Sequence, residues 1–117
     1  MLRFWRATIN TRNGLAFAIR SEQAVREEVA VLVLALPLAW LIGATTMRSI
    51  ELIATVVLVL VIELLNTAIE KLCDRLTTDH DEQIGRVKDM GSAAVGLAIL
   101  LAATVWGCVA LRAFAWR

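Results

Sequence analysis

Glu63, Asn66, Glu70 and Asp74 follow one another at intervals of three, four and four residues within VIELLNTAIEKLCDR. On an α-helix, at about 100° per residue, they fall within roughly an 80° sector and form one polar stripe. Aligned carboxylates can accept a proton or hold a divalent cation, and an amide between them can orient either. The stripe stands in an otherwise apolar stretch, where a carboxylate costs several kcal/mol to bury (~3 kcal/mol on insertion scales). Asparagine by itself would serve to glue helices together. Two carboxylates with no Lys or Arg at the same depth favour chemistry or ion handling over adhesion.

Other polar groups can join this stripe. In GRVKDMGSAAVG, Lys88 and Asp89 precede Gly91, Ser92, Ala93, Ala94 and Gly96, small residues that let helices approach closely. A Lys beside an Asp at a membrane edge commonly snorkels or caps a helix; facing an acidic stripe, the same pair can hold a phosphate chain. Glu22, in RSEQAVREE, adds a third carboxylate ahead of the first apolar stretch. The chain contains no Walker A motif, kinase-type glycine loop or HExxH, so nucleotide chemistry here needs its own solution.

The elements that must position these groups are read from the charge-free stretches. The chain has 117 residues, 59% of them hydrophobic, with one Pro and no Tyr, and a mean hydropathy of +0.71. That length suits a single domain, residues 1–117, and that hydropathy an all-α membrane protein. Residues 29–47 carry no charge and residues 90–111 carry none; each approaches the roughly 20 residues that cross a hydrocarbon core. Pro37 lies in the first, where a kink is tolerable. Residues 50–72 are apolar overall but contain Glu51, Glu63, Asn66, Glu70 and Lys71. They span only if the carboxylates face protein, water or ligand.

Nine of the twelve basic residues fall in two segments, Arg3, Arg6, Arg12, Arg20 and Arg26 in one, Lys71, Arg75, Arg86 and Lys88 in the other. Arg48, Arg112 and Arg117 occupy the opposite side of a three-span arrangement. The positive-inside bias then places the N-terminus and the 73–89 loop in the cytoplasm. Residues 1–28 carry five Arg and three Glu without the long apolar run or cleavage-like site of a secretory leader. Their interspersed Phe4, Trp5, Ile9, Leu15 and Ile19 predict a helix in the membrane interface, broken near Asn13–Gly14. Cys73 and Cys108 show no metal-ligand spacing and read as small apolar core residues. No acidic or basic tail points to nucleic acid.

At this point ELLNTAIEKLCDR followed by GRVKDMGSAA, with NGLAFAIRSEQAVREE ahead of the first span, resembles the small prokaryotic integral-membrane diacylglycerol kinases. The resemblance covers most of the chain. It implies a homotrimer in the bacterial inner membrane, each subunit with a surface helix and three transmembrane helices. It implies transfer of the ATP γ-phosphoryl group to the primary hydroxyl of diacylglycerol. By position, Glu63 matches the catalytic base, and Glu22 and Glu70 the carboxylates that hold ATP-bound Mg²⁺. Lys88 and Asp89 match contacts to the nucleotide phosphates, and Asn10, Asp79 and Asp81 fall in segments associated with ATP. Arg3, Asn66 and Ser92 fall with Glu63 on the lipid-substrate side, and Asp74 supports the cytoplasmic mouth. His80 receives no catalytic role.

Three rival readings remain at this level. A related kinase acting on undecaprenol would present the same stripe. A small proton-coupled transporter would use a mid-membrane Glu, though it needs neither Lys88–Asp89 nor Glu22. A structural membrane subunit would use the stripe for packing.

Overall fold

A computed structural model describes residues 1–115, and every regular element among them is α-helix. Four helices follow in order: α1 (Leu2–Ser21), α2 (Gln23–Ile42), α3 (Thr46–Leu76) and α4 (Glu82–Ala115). Arg117, counted above on the outer side, lies outside the described residues. α3 is central: it packs along both α2 and α4, which scarcely touch each other, while α1 rests against α2.

α1 runs through Asn13–Gly14 without a break, and no neighbouring atom crowds Gly14. The chain turns instead at Glu22, whose backbone is extended (φ −124°, ψ 121°). The last carbonyls of a helix lack partners within it. Here Arg26, in the first turns of α2, donates from Nη1 to the carbonyls of Ile19 and Arg20, both at 3.1 Å. Ala18, Val25 and Leu60 then bury together, flanked by Ile19, Val29, Leu32 and Leu64. This small core fixes α1, α2 and α3 around the turn that carries Glu22.

α2 ends at Ile42, so the charge-free stretch 29–47 is divided between two helices with the turn Gly43–Thr45 inside it. The uncharged part of α2, residues 29–42, rises about 21 Å at 1.5 Å per residue. Thr45 caps α3, its Oγ1 accepting from Arg48 N at 3.1 Å. The fully buried Ser49 donates from Oγ to Ala39 O at 3.0 Å, with Thr45 O at 3.2 Å as a second acceptor. A Cβ at Gly43 would collide with Ser49 Oγ and Ala39 O. Ala39 O still accepts from Gly43 N, so Ser49→Ala orphans no carbonyl. It is expected to cost about 1 kcal/mol, read as a lower unfolding midpoint in detergent with kcat within twofold of the parent, because the turn lies at the far end of α3 from the stripe.

Among the described residues two helices, α3 and α4, are long and apolar enough to cross a membrane. Only 6% of the most apolar window of α4 is buried within the chain, which leaves that surface to lipid or other protein. At the end of the bundle near the α2–α3 turn, the Trp106 indole N–H donates to Leu52 O and Thr55 Oγ1, both at 3.0 Å, tying α4 to α3. Cys73 is buried, as expected, whereas Cys108 lies exposed on α4; the core reading of that second cysteine does not hold within this chain.

Candidate active site

The polar stripe lies on the half of α3 nearest the α1–α2 turn and the start of α4. Glu63 and Glu70 are half-buried and Asn66 is buried. The Asn66 amide donates from Nδ2 to Glu70 Oε1 at 3.3 Å. Its Oδ1 is buried with no hydrogen-bond partner among the described residues, and it is pressed so closely against Gly91 of α4 that a Cβ there would overlap it. The glycine thus lets α4 close over the asparagine, and the asparagine reaches Glu70 one turn further along α3.

Carboxylates from separate elements converge around this point. Glu63 lies within electrostatic reach of Glu70 and Glu22, and Glu28 within reach of Glu63 and Glu27. Lys71 extends from α3 to Glu22, with Nζ 2.8 Å from Oε1, and lies 5.2 Å from the centre of the Phe17 ring. On the opposite flank Lys88 of α4 pairs with Asp74 of α3 at 2.6 Å. One lysine therefore stands on each side of the stripe, each holding a carboxylate from another helix or turn.

The remaining candidates are more dispersed. Asn10 lines a groove between α1 and α3 together with Gly14, Thr67 and Lys71, with a cavity volume of about 430 Å³. Arg3 is exposed near the start of α1, and Asp89 and Ser92 are exposed on α4 beside the buried Gly91. Asp79 and His80 lie exposed in the loop between α3 and α4, where Asp79 N donates to Thr77 Oγ1 at 3.0 Å. Asp81 is drawn into the fold: its Oδ1 accepts from Gln83 N at 2.9 Å and Ile84 N at 3.1 Å, capping α4.

Residues 10–110 match the family described as prokaryotic diacylglycerol kinase. The chain belongs to the prokaryotic diacylglycerol kinase family. A diacylglycerol kinase of Escherichia coli strain K12 is 41% identical over 98 residues, 84% of this chain and 80% of that protein. One from Haemophilus influenzae is 40% identical over 94 residues, 80% of each chain. One from Pseudomonas aeruginosa is 34% identical over 109 residues, 93% of this chain and 89% of that protein. Membership of a diacylglycerol kinase family makes the chain an ATP-dependent lipid kinase and sets aside the transporter and structural-subunit readings.

For a diacylglycerol kinase, the donor set around Glu63 suits a hard cation that arrives with a nucleotide. Among the described residues, no three of His, Cys, Asp and Glu gather closely enough to hold a metal by themselves. Mg²⁺ does not need them to, because it commonly takes one or two carboxylates and completes its shell with phosphate oxygens and water. Half-buried Glu22 and Glu70 fit that requirement.

Three features of the candidate site escaped the sequence reading. Glu28 appears there only as one of the three Glu of residues 1–28, yet it lies within electrostatic reach of Glu63. Lys71 appears there as a charge at the end of the 50–72 segment and in the positive-inside tally, with no role in the site, although it spans the gap to Glu22. Gly91 is one of several small residues, and its partner Asn66 lies on a different helix. The one sequence signal that could have found Glu28 and Lys71 is their expected place at the cytoplasmic ends of the first two apolar segments.

Proposed function

We propose that the chain transfers the γ-phosphoryl group of ATP to the primary hydroxyl of diacylglycerol, giving phosphatidic acid and ADP, with Glu63 as the base. The convergence of Glu63, Glu70 and Glu22 beside the Asn66–Gly91 contact carries this reading. An acyl-bearing alcohol reaches the site from the bilayer, and Glu63 stands on an apolar helix at the depth such a hydroxyl occupies. As the hydroxyl oxygen bonds to the γ-phosphorus, its proton passes to the Glu63 carboxylate and the bond to the bridging oxygen of ADP breaks. Phosphoryl transfer asks mainly for positioning and charge neutralisation. Glu22 and Glu70 would hold Mg²⁺ bound to ATP, and that ion would neutralise the phosphate oxygens. Lys88 and Asp89 stand at the rim, where Lys88 can exchange Asp74 for a phosphate as a compact point charge. Asn66 keeps Glu70 in register. Asn10, Asp79 and Asp81 border the nucleotide, and Arg3 and Ser92 the lipid, with Asp74 supporting the mouth.

In this reading α2, α3 and α4 all cross the inner membrane, α2 with the help of the Gly43–Thr45 turn, and α1 lies in the interface. The basic residues of 1–28 and 73–89 support a cytoplasmic location for those segments. The exposed apolar surface of α3 at Ile50, Val57 and Val61, and that of α4, support a homotrimer in which neighbouring copies cover them.

Purified protein in mixed micelles, given labelled ATP and Mg²⁺, is expected to label diacylglycerol at least tenfold faster than undecaprenol, counting label in the extracted lipid. A preference for undecaprenol would overturn the choice of acceptor.

A further inference from the structure

The Lys71–Glu22 pair joins α3 to the α1–α2 turn at the carboxylate proposed above to meet the metal. Two observations argue against its being a permanent strut. The side chains of Lys71 and Glu22 remain 43% and 32% exposed, and an ion pair that open to water is weak and screened. The ammonium would not be stranded without Glu22, because it already lies 5.2 Å from the centre of the Phe17 ring and an aromatic face attracts a cation at that range. Lys71 further lines the α1–α3 groove with Asn10, Thr67 and Ala68, so its flexible stem has room to move.

Electrostatics supplies a reason for a cation at this point. Glu22 and Glu70 both act on Glu63. Without a metal, an unpaired Glu22 would leave three carboxylates repelling one another. With a metal, a lysine bound to Glu22 would compete for the same oxygens. We propose that Lys71 is an exchangeable counter-ion: its ammonium holds Glu22 in place while the metal is absent and yields that carboxylate to the incoming metal–nucleotide complex, keeping its contact with Phe17 beside the groove. Lys71 is then a positioning residue that acts through Glu22. The inference rests on the assignment of Glu22 to the metal made under Proposed function.

Mn²⁺ binding to the purified full chain in the presence of a non-hydrolysable ATP analogue, followed by electron paramagnetic resonance, tests both ideas separately. Lys71→Met keeps the apolar stem and removes the charge. It is expected to tighten Mn²⁺ binding on the order of twofold to fivefold, while Lys71→Arg stays near wild type and Glu22→Gln weakens binding. Adding Lys71→Met to Glu22→Gln should bring no gain over Glu22→Gln. In turnover, Lys71→Met should change the KM for Mg·ATP more than kcat. If Lys71→Met binds Mn²⁺ as wild type does while Glu22→Gln weakens it, the counter-ion role falls and the metal assignment stands. A tightening that persists beside Glu22→Gln overturns the role as well, since the gain would then come from general loss of positive charge. If Glu22→Gln binds Mn²⁺ normally, the metal assignment itself fails and takes the inference with it.

Discussion

Glu63→Gln is expected to lower kcat by about 10²–10⁴-fold, the range that a positioned general base contributes. The substitution keeps the size of the side chain and its capacity for hydrogen bonding, but an amide cannot take the proton of the attacking hydroxyl. Because the base acts in the chemical step, the KM for Mg·ATP should change little. The same variant should unfold no earlier than wild type, because it removes one negative charge from a group that includes Glu70, Glu22 and Glu28. Lost turnover in a fully stable protein separates a chemical role from a packing role. Steady-state rates with diacylglycerol, paired with thermal unfolding in the same detergent, provide both numbers. Near-normal kcat would remove Glu63 from the mechanism.

The second large effect is expected at a residue with no functional group. Gly91→Ala inserts a methyl where Asn66 Oδ1 now sits. Either the asparagine rotates and surrenders its bond to Glu70, or α4 moves away and opens the site. Misplacement on the ångström scale costs about 10²-fold in a reaction that depends on positioning, so kcat/KM should fall by about 10- to 100-fold. Overpacking at such a contact should also cost about 1–3 kcal/mol of stability. The comparison is Gly107→Ala on the same helix, where no atom lies within 4 Å of the added carbon. That variant trades glycine for a better helix former and should keep full activity with equal or slightly higher stability. Equal rates for the two alanine variants would show that the Asn66–Gly91 contact does not organise the site.

Much of this arrangement was legible in the residues. The spacing from Glu63 to Asp74 marks a helix face because side-chain direction repeats with the helical turn, and α3 carries those residues as one stripe. A long charge-free run marked α4 as a possible span, whereas α3 qualified only on the condition that its carboxylates avoid lipid. Helix ends were harder to read. A charge-free run measures what lipid tolerates, whereas a helix stops where its hydrogen bonds find other partners. The turn at Gly43 lies inside such a run and is stabilised by Ser49, whose partner Ala39 belongs to the preceding helix. Asn13–Gly14 looked like a break because glycine is a poor helix former, but its cost is only about 1 kcal/mol and the contacts of Ala18 and Ile19 outweigh it. The break falls at Glu22, where Arg26 serves the exposed carbonyls. Asp81 precedes a helical run and could have been read as a cap. The pairing of Lys71 with Glu22 could not, because it joins residues far apart in the chain and exists only once three helices have packed.

The lengths of α3 and α4 carry a consequence for the setting in which the kinase works. With 31 and 34 residues, they extend about 46 and 51 Å, against a hydrocarbon layer of about 30 Å. Each overshoots the oil by several turns, like a piling driven through a thin floor. If both helices cross the bilayer and Glu63 is the base proposed above, the height at which it meets the lipid hydroxyl is set by how the bilayer settles along these rods. Turnover should then fall in bilayers markedly thicker or thinner than the native one, read as rates in vesicles of graded acyl-chain length.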